Sequence, residues 1–181
     1  MPHTTSPARS LARGQAKYQV RFEWGSAGAD AVSAGADVLV IADAMGSAEV
    51  IPAGFPGPVL AATGGNREAT AAWVLAQQEG KGDRFAVAVI AAGADEEDGL
   101  RFCVEDLLLA GGVIDALADA GIDYASPEAA SAAAAYQGLN RAVSHILSAS
   151  VTGQDLIGAG DSQEIEKARD RLDVTHVVRV R

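Results

Sequence analysis

Hydrophobic positions in this chain switch repeatedly between a period of two and a period of three to four. Tyr18, Val20, Phe22 and Trp24 occupy alternate positions of YQVRFEW, the spacing of a half-buried strand. Gly25 to Ala36, rich in Gly and Ala, predicts a loop and a short helix. It leads into Asp37 to Ala42, DVLVIA, an unbroken β-branched run of the kind buried on both faces of a sheet. Prolines and glycines crowd positions 52–58 and exclude regular structure there. Val59 to Ala62 then predicts a short strand, Thr63-Gly64-Gly65-Asn66 a turn, and Arg67 to Gln78 a helix with Ala69, Ala72, Trp73 and Ala76 at helical spacing.

The same unit follows once more. Phe85 to Ala92 reads as a buried strand, GADEEDGL as a solvated acidic loop, and Val104 to Ala120 as a helix. Pro127 opens an alanine-rich helix toward Tyr136, Leu139 to Ser148 extends it or forms another, Gln163 to Arg171 is helical, and THVVRVR predicts a final strand. Strands alternating with helices indicate an α/β fold, here a three-layer α/β/α domain with a mixed sheet over residues 17–181 behind a flexible tail over 1–16.

Composition narrows the partners. With 181 residues and a formal net charge of −10, the surface disfavours nucleic acid and anionic membrane, though a single arginine or a divalent metal can still hold a phosphate. Aromatic residues make up 5% of the chain and 38 residues are alanine, so the core is built from small side chains. A lone Cys103 permits no intrachain disulfide and suits a reducing cytosol. No apolar run reaches the ~18 residues of a membrane helix, and the basic opening lacks the apolar centre of a secretory signal. A cytoplasmic protein is expected.

Several phosphate chemistries fail on spacing alone. No arginine follows Cys103 within the loop distance a cysteine nucleophile needs, Asp43 is followed by Ala44 and Met45 rather than by a second acid, and the histidines at 3, 145 and 176 are scattered. No phosphate-loop GxxxxGK[ST] occurs. What remains are residues at predicted carboxyl ends of strands, where open α/β sheets place their ligands. These are Asp43, the turn Gly64-Gly65-Asn66-Arg67, and Arg101 with Glu105 and Asp106. Carboxylates beside arginine can hold Mg²⁺ and a phosphate together. Each also has a plain structural alternative: Asp43 as a helix cap, Glu105 and Asp106 as acids favoured by a helix dipole, Gly65-Asn66 as a turn.

The combination of strings resembles the 2-phosphosulfolactate phosphatase family. YQVRFEWG, ADVLVIADAM ending its strand at Asp43, GLRFCVEDLLLAGGVIDAL with Arg101, Glu105 and Asp106 in an Arg-x-x-x-Glu-Asp pattern, SVTGQDLIGAG and KARDRLDVTHVVRVR all match in kind. Family members are longer and carry two strand-turn-helix units where this chain has room for one, centred on Gly65-Asn66-Arg67, so it resembles a shortened, divergent member. The resemblance implies a Mg²⁺-dependent phosphatase acting on a small phosphorylated or sulfonated acid, and a homodimer. It further implies catalytic roles for Asp43, Arg101 and Glu105, substrate binding by Gly65, Asn66 and Arg67, and metal binding by Asp43, Glu105 and Asp106. The other reading left open is a catalytically silent member that binds a small anion or serves as an interaction module.

Overall fold

The β-branched runs become the strands of one sheet. The computed structural model describes residues 12–46 and 50–181. In chain order it contains β1 (Val20–Trp24), α1 (Gly25–Val32), β2 (Val38–Ala42), β3 (Val59–Ala61), α2 (Arg67–Lys81), β4 (Val87–Ala91), β5 (Ala94–Glu96), β6 (Gly99–Arg101) and α3 (Val104–Asp119). There follow α4 (Pro127–Leu139), a 3₁₀ turn (Asn140–Ala142), α5 (Val143–Ala149), α6 (Val151–Gly158), α7 (Ser162–Asp170), a second 3₁₀ turn (Arg171–Asp173) and β7 (Val178–Arg179).

The strand order is β1-β4-β2-β3-β7, with the first four parallel and β7 antiparallel to β3. The sheet is therefore mixed and the fold α/β, as the alternation of elements requires. Alternate side chains sort into two cores. Val38, Val40, Leu60, Val87 and Val89 join the helical layer of α2 to α5, while Leu39, Ile41, Val59, Ala88 and Ile90 meet Ala29 and Val32 of α1 together with Val50 and Phe55. Small residues set the spacing of the thick layer. A Cβ at Gly111 of α3 would overlap the carbonyl oxygen of Ala132 in α4, so the two helices touch backbone to backbone.

Four expectations need revision. YQVRFEW is not half-buried: Arg21 is 4% exposed, and its guanidinium donates to the carbonyl oxygens of Val32 at 3.0 Å and Ala34 at 2.7 Å, satisfying the C-terminal end of α1. Burial lowers the pKa of this arginine. The acidic GADEEDGL segment is not a loop but the hairpin β5–β6, turned at Glu97-Asp98, with Gly99 opening β6 at φ +122°. Positions 151–158, not predicted from periodicity, form α6, capped by the Ser150 hydroxyl accepting the Gly153 amide at 3.1 Å.

The segment read as tail also needs qualification. Residues 1–11 lie outside the described residues, but Gln15 is buried and its side chain exchanges hydrogen bonds with the backbone of Phe22 at 2.8 and 3.0 Å.

Candidate functional site

The parallel strands β2, β3 and β4 end on one rim of the sheet, and the first turn of α3 lies across it. Asp106 there is buried, and its two carboxylate oxygens accept the amides of Ala44, just beyond β2, at 2.8 Å and of Gly93, just beyond β4, at 2.9 Å. Burial is the main cause that pushes its carboxyl up to about 7, helped by the charges of Asp43 and Glu105 and opposed by the two amide hydrogen bonds. Asp106 is thus a clasp between strand ends. With both oxygens engaged, it is poorly disposed to ligate a metal.

Asp43 follows β2 directly, and its Oδ1 accepts the Gly46 amide at 2.6 Å. Asp43 caps a turn here, not the N-terminus of a helix. Glu105 is 4% exposed, and it accepts no hydrogen bond and forms no ion pair with any described residue. Its negative charge is felt by Arg101, whose pKa it helps to raise. Asp43 and Glu105 line the same small cavity, about 10 Å³, walled also by Thr63, Leu108 and Arg171. That is room for about one water-sized species.

Arg171 is the residue that the residue-by-residue reading missed. It begins the 3₁₀ turn after α7, donates to the Ala44 carbonyl oxygen at 3.4 Å, and lies in no ion pair among the described residues. It lines both the small cavity and a larger groove beside it. Its only signal was membership of KARDRLDVTHVVRVR, a string quoted for the family resemblance; nothing local announces that it returns to the end of β2.

The other expected residues lie around this cavity rather than in it. Asn66 is fully buried and organises its own turn: its Oδ1 accepts the Thr63 amide at 2.8 Å and its Nδ2 donates to Ala61 at 2.9 Å. Gly65 is packed against the C-terminal segment, since a Cβ there would overlap the carbonyl oxygen of Leu172 and stand 2.8 Å from that of Val174. The side chain of Asn66 is thus committed to its own turn. Arg67 opens α2, pairs with Glu68 and sits over the Tyr136 ring at 5.3 Å, facing a cavity of about 410 Å³ that Gly65 and Arg141 also line and that adjoins the Asp43–Glu105 cavity along Thr63, Gly64 and Leu172.

Arg101 is held on the hairpin by Glu96 at 2.6 Å, with Thr152 at 3.4 Å, and does not line the Asp43–Glu105 cavity. Burial lowers the Arg101 pKa, but the hydrogen bond it donates to Glu96 and the charges of Cys103, Glu96 and Glu105 carry it above its ordinary value. Next to it, burial pushes up the Cys103 thiol.

Among the described residues, no group of three or more His, Cys, Asp and Glu side chains is gathered to hold a metal ion. Asp43 and Glu105 nonetheless fit a hard cation that takes one or two carboxylates and fills its remaining positions with water and substrate oxygens. The cavity between them suits one ion and nothing larger. No described helix is long and apolar enough to cross a membrane.

Rim carboxylates, an arginine in no ion pair with any described residue and a small cavity on the carboxyl rim of a mostly parallel sheet define an α/β protein with a candidate site for an anionic ligand. A family model described as 2-phosphosulpholactate phosphatase matches residues 50–181. No curated protein matches the chain. The match covers well over half of the sequence and includes Gly65, Arg67, Arg101, Glu105, Asp106 and Arg171, with Asp43 lying before it. The chain belongs to the 2-phosphosulpholactate phosphatase family.

Proposed function

We propose that this protein is a Mg²⁺-dependent phosphatase of small phosphorylated acids that works in the cytoplasm as a homodimer. The observation that carries the reading is the Glu105 carboxylate: it is buried, without a hydrogen-bonding partner among the described residues, and opens beside Asp43 onto a cavity that Arg171 also walls. Family membership supplies the reaction class.

Asp43 and Glu105 would hold the ion, which when bound supplies positive charge against the phosphate oxygens. Arg171, anchored through Ala44, forks onto the same phosphate and fixes its orientation. Asp106 keeps the Asp43 turn in place through the Ala44 amide. Hydrolysis forms a bond from a water oxygen to phosphorus and breaks the bond from phosphorus to the ester oxygen. The proton lost by water leaves with the alcohol, and Glu105 would pass it on. Arg101, tied to Glu96, acts on the charge around Glu105 rather than on substrate.

The test is phosphate release from a panel of phosphorylated hydroxy acids, with Mg²⁺ and with chelator, on wild type beside Asp43→Asn and Arg171→Ala. Release that needs Mg²⁺, Asp43 and Arg171 is expected. A folded wild type that releases nothing would overturn the phosphatase reading. The full engagement of Asp106 and the closed Gly65 turn would then favour a silent member that binds anions. Light scattering of the purified chain tests the homodimer.

A further inference from the structure

The Asp43–Glu105 cavity has room for one ion and nothing larger, so the body of a substrate must lie in one of the two spaces that adjoin it. On one side is a groove of about 570 Å³ walled by Ile51, Ala61, Val174, Val178 and Val180, whose only cationic lining residue among the described residues is Arg171. On the other is the cavity of about 410 Å³ between the start of α2, α3 and the 3₁₀ turn after α4. It shares Thr63, Gly64, Leu108 and Leu172 with the Asp43–Glu105 cavity. Two arginines line it, Arg67 and Arg141, against one acid, Glu68. In a chain with a formal net charge of −10 this is a local excess of positive charge beside the candidate site.

Both guanidiniums are placed to receive an anion. Arg67 is steadied by the Tyr136 ring, 5.3 Å from its guanidinium carbon, and Glu68 engages its Nε at 2.7 Å and its Nη2. Its Nη1 has no hydrogen-bonding partner among the described residues, which leaves one side of the fork to a ligand. Arg141 is exposed on its 3₁₀ turn, and no described residue accepts a hydrogen bond from its guanidinium or pairs with it. Asn140 and Ser144 add neutral polar groups beside it. A planar guanidinium binds an oxyacid through parallel N–H bonds and keeps its charge at any working pH. We infer that Arg67 and Arg141 form a specificity site, holding a second acid group, a carboxylate or sulfonate, on a substrate whose phosphate is turned toward Asp43, Glu105 and Arg171. The inference rests on the phosphatase reading and adds to it the residues that select an acid over a neutral ester.

The experiment compares phosphoglycolate, its carboxamide and the phosphate ester of isethionate as substrates of the full chain with Mg²⁺. Binding of phosphonopropionate, which cannot be hydrolysed, and of its amide is measured by calorimetry. Wild type should favour one or both acids over the carboxamide about 10- to 100-fold in kcat/KM, the worth of charge-assisted hydrogen bonds. Arg141→Gln and Arg67→Gln should each cut that preference to about threefold or less, with most of the change in KM, while Arg141→Lys retains part of it. Arg84→Gln, which removes a positive charge over the Tyr124 ring and outside the cavity, should retain all of it.

Phosphate release with equal turnover of acids and carboxamide overturns the inference and leaves the phosphatase reading standing. So does a preference that survives both Arg67→Gln and Arg141→Gln. Phosphonopropionate affinity that exceeds that of its amide and falls with Arg141→Gln, in a protein that releases no phosphate, supports the two-arginine site and overturns the phosphatase reading. A folded protein that neither releases phosphate nor binds phosphonopropionate overturns both.

Discussion

The carboxylate of Asp106 accepts the amide of Ala44 at 2.8 Å across 62 positions of sequence. This bond, with its counterpart to Gly93, joins the ends of two adjacent parallel strands through one side chain. The clasp has a measurable cost. Because the folded carboxyl is raised from its ordinary 3.8 to about 7, the folded state holds a proton in that interval that the unfolded chain has released. Stability contributed by Asp106 therefore falls as pH rises through that window.

In chelator, the melting temperature of wild type should climb as pH is lowered from 8 to 5.5. Asp106→Asn should lack that component. It should also melt lower at every pH, because its amide nitrogen would face one of the two backbone N–H groups, leaving a buried donor unsatisfied at a cost of about 1–3 kcal/mol. Parallel slopes in the two proteins would show that Asp106 does not titrate there.

Glu105 is tested through its response to metal. Glu105→Gln keeps the side-chain shape on the wall of the Asp43 cavity and is expected to leave the metal-free protein within about 1 kcal/mol of wild type. The same change should abolish any rise in melting temperature on adding Mg²⁺. Denaturant unfolding with and without Mg²⁺ separates the two effects, and a Mg²⁺ response that survives the substitution would remove Glu105 from the site.

Gly65→Ala probes the contact between the β3–α2 turn and the C-terminal segment. The added methyl meets the backbone oxygens of Leu172 and Val174, which cannot rotate away. We expect a loss of about 1–3 kcal/mol, and a fall in kcat/KM larger than stability alone explains, since Arg171 moves with that segment.

Arg21→Ala tests the buried edge of the sheet, far from the rim. It strands the carbonyl oxygens of Val32 and Ala34 at the end of α1. A loss of about 2–4 kcal/mol is expected, with turnover per folded molecule unchanged. Lys at this position should recover little, because it lacks the planar fork that serves several carbonyls at once.

The elements that sequence made legible are those written in one strong period: the apolar runs of β2 and β4, and the helix starting at Arg67 after a glycine turn. Arg21 broke the reading of β1 because alternation cannot distinguish a solvated arginine from one buried on carbonyl groups. The hairpin at β5–β6 escaped because its residues are charged and its strands are three residues long. In the site, Asp43, Glu105 and Asp106 were recognisable as strand-end and first-turn acids, but the division of labour among them depends on which oxygen meets which amide. That is a property of tertiary geometry. Asn66 and Gly65 carried the chemistry of a turn and proved to be one.

Arg171 and Ala44 meet across 127 positions, and the segment carrying the arginine is tied down by the two-residue strand β7, one hydrogen bond from the Thr63 hydroxyl to Val174 and the packing of Leu172 on Gly65. A tether so short frays at little free-energy cost compared with opening the parallel sheet. The rim therefore has its own, lower melting point. On heating, the anion-binding end of the molecule should come apart while the four parallel strands behind it are still largely paired, so the temperature at which this protein stops working and the temperature at which it unfolds are two different quantities.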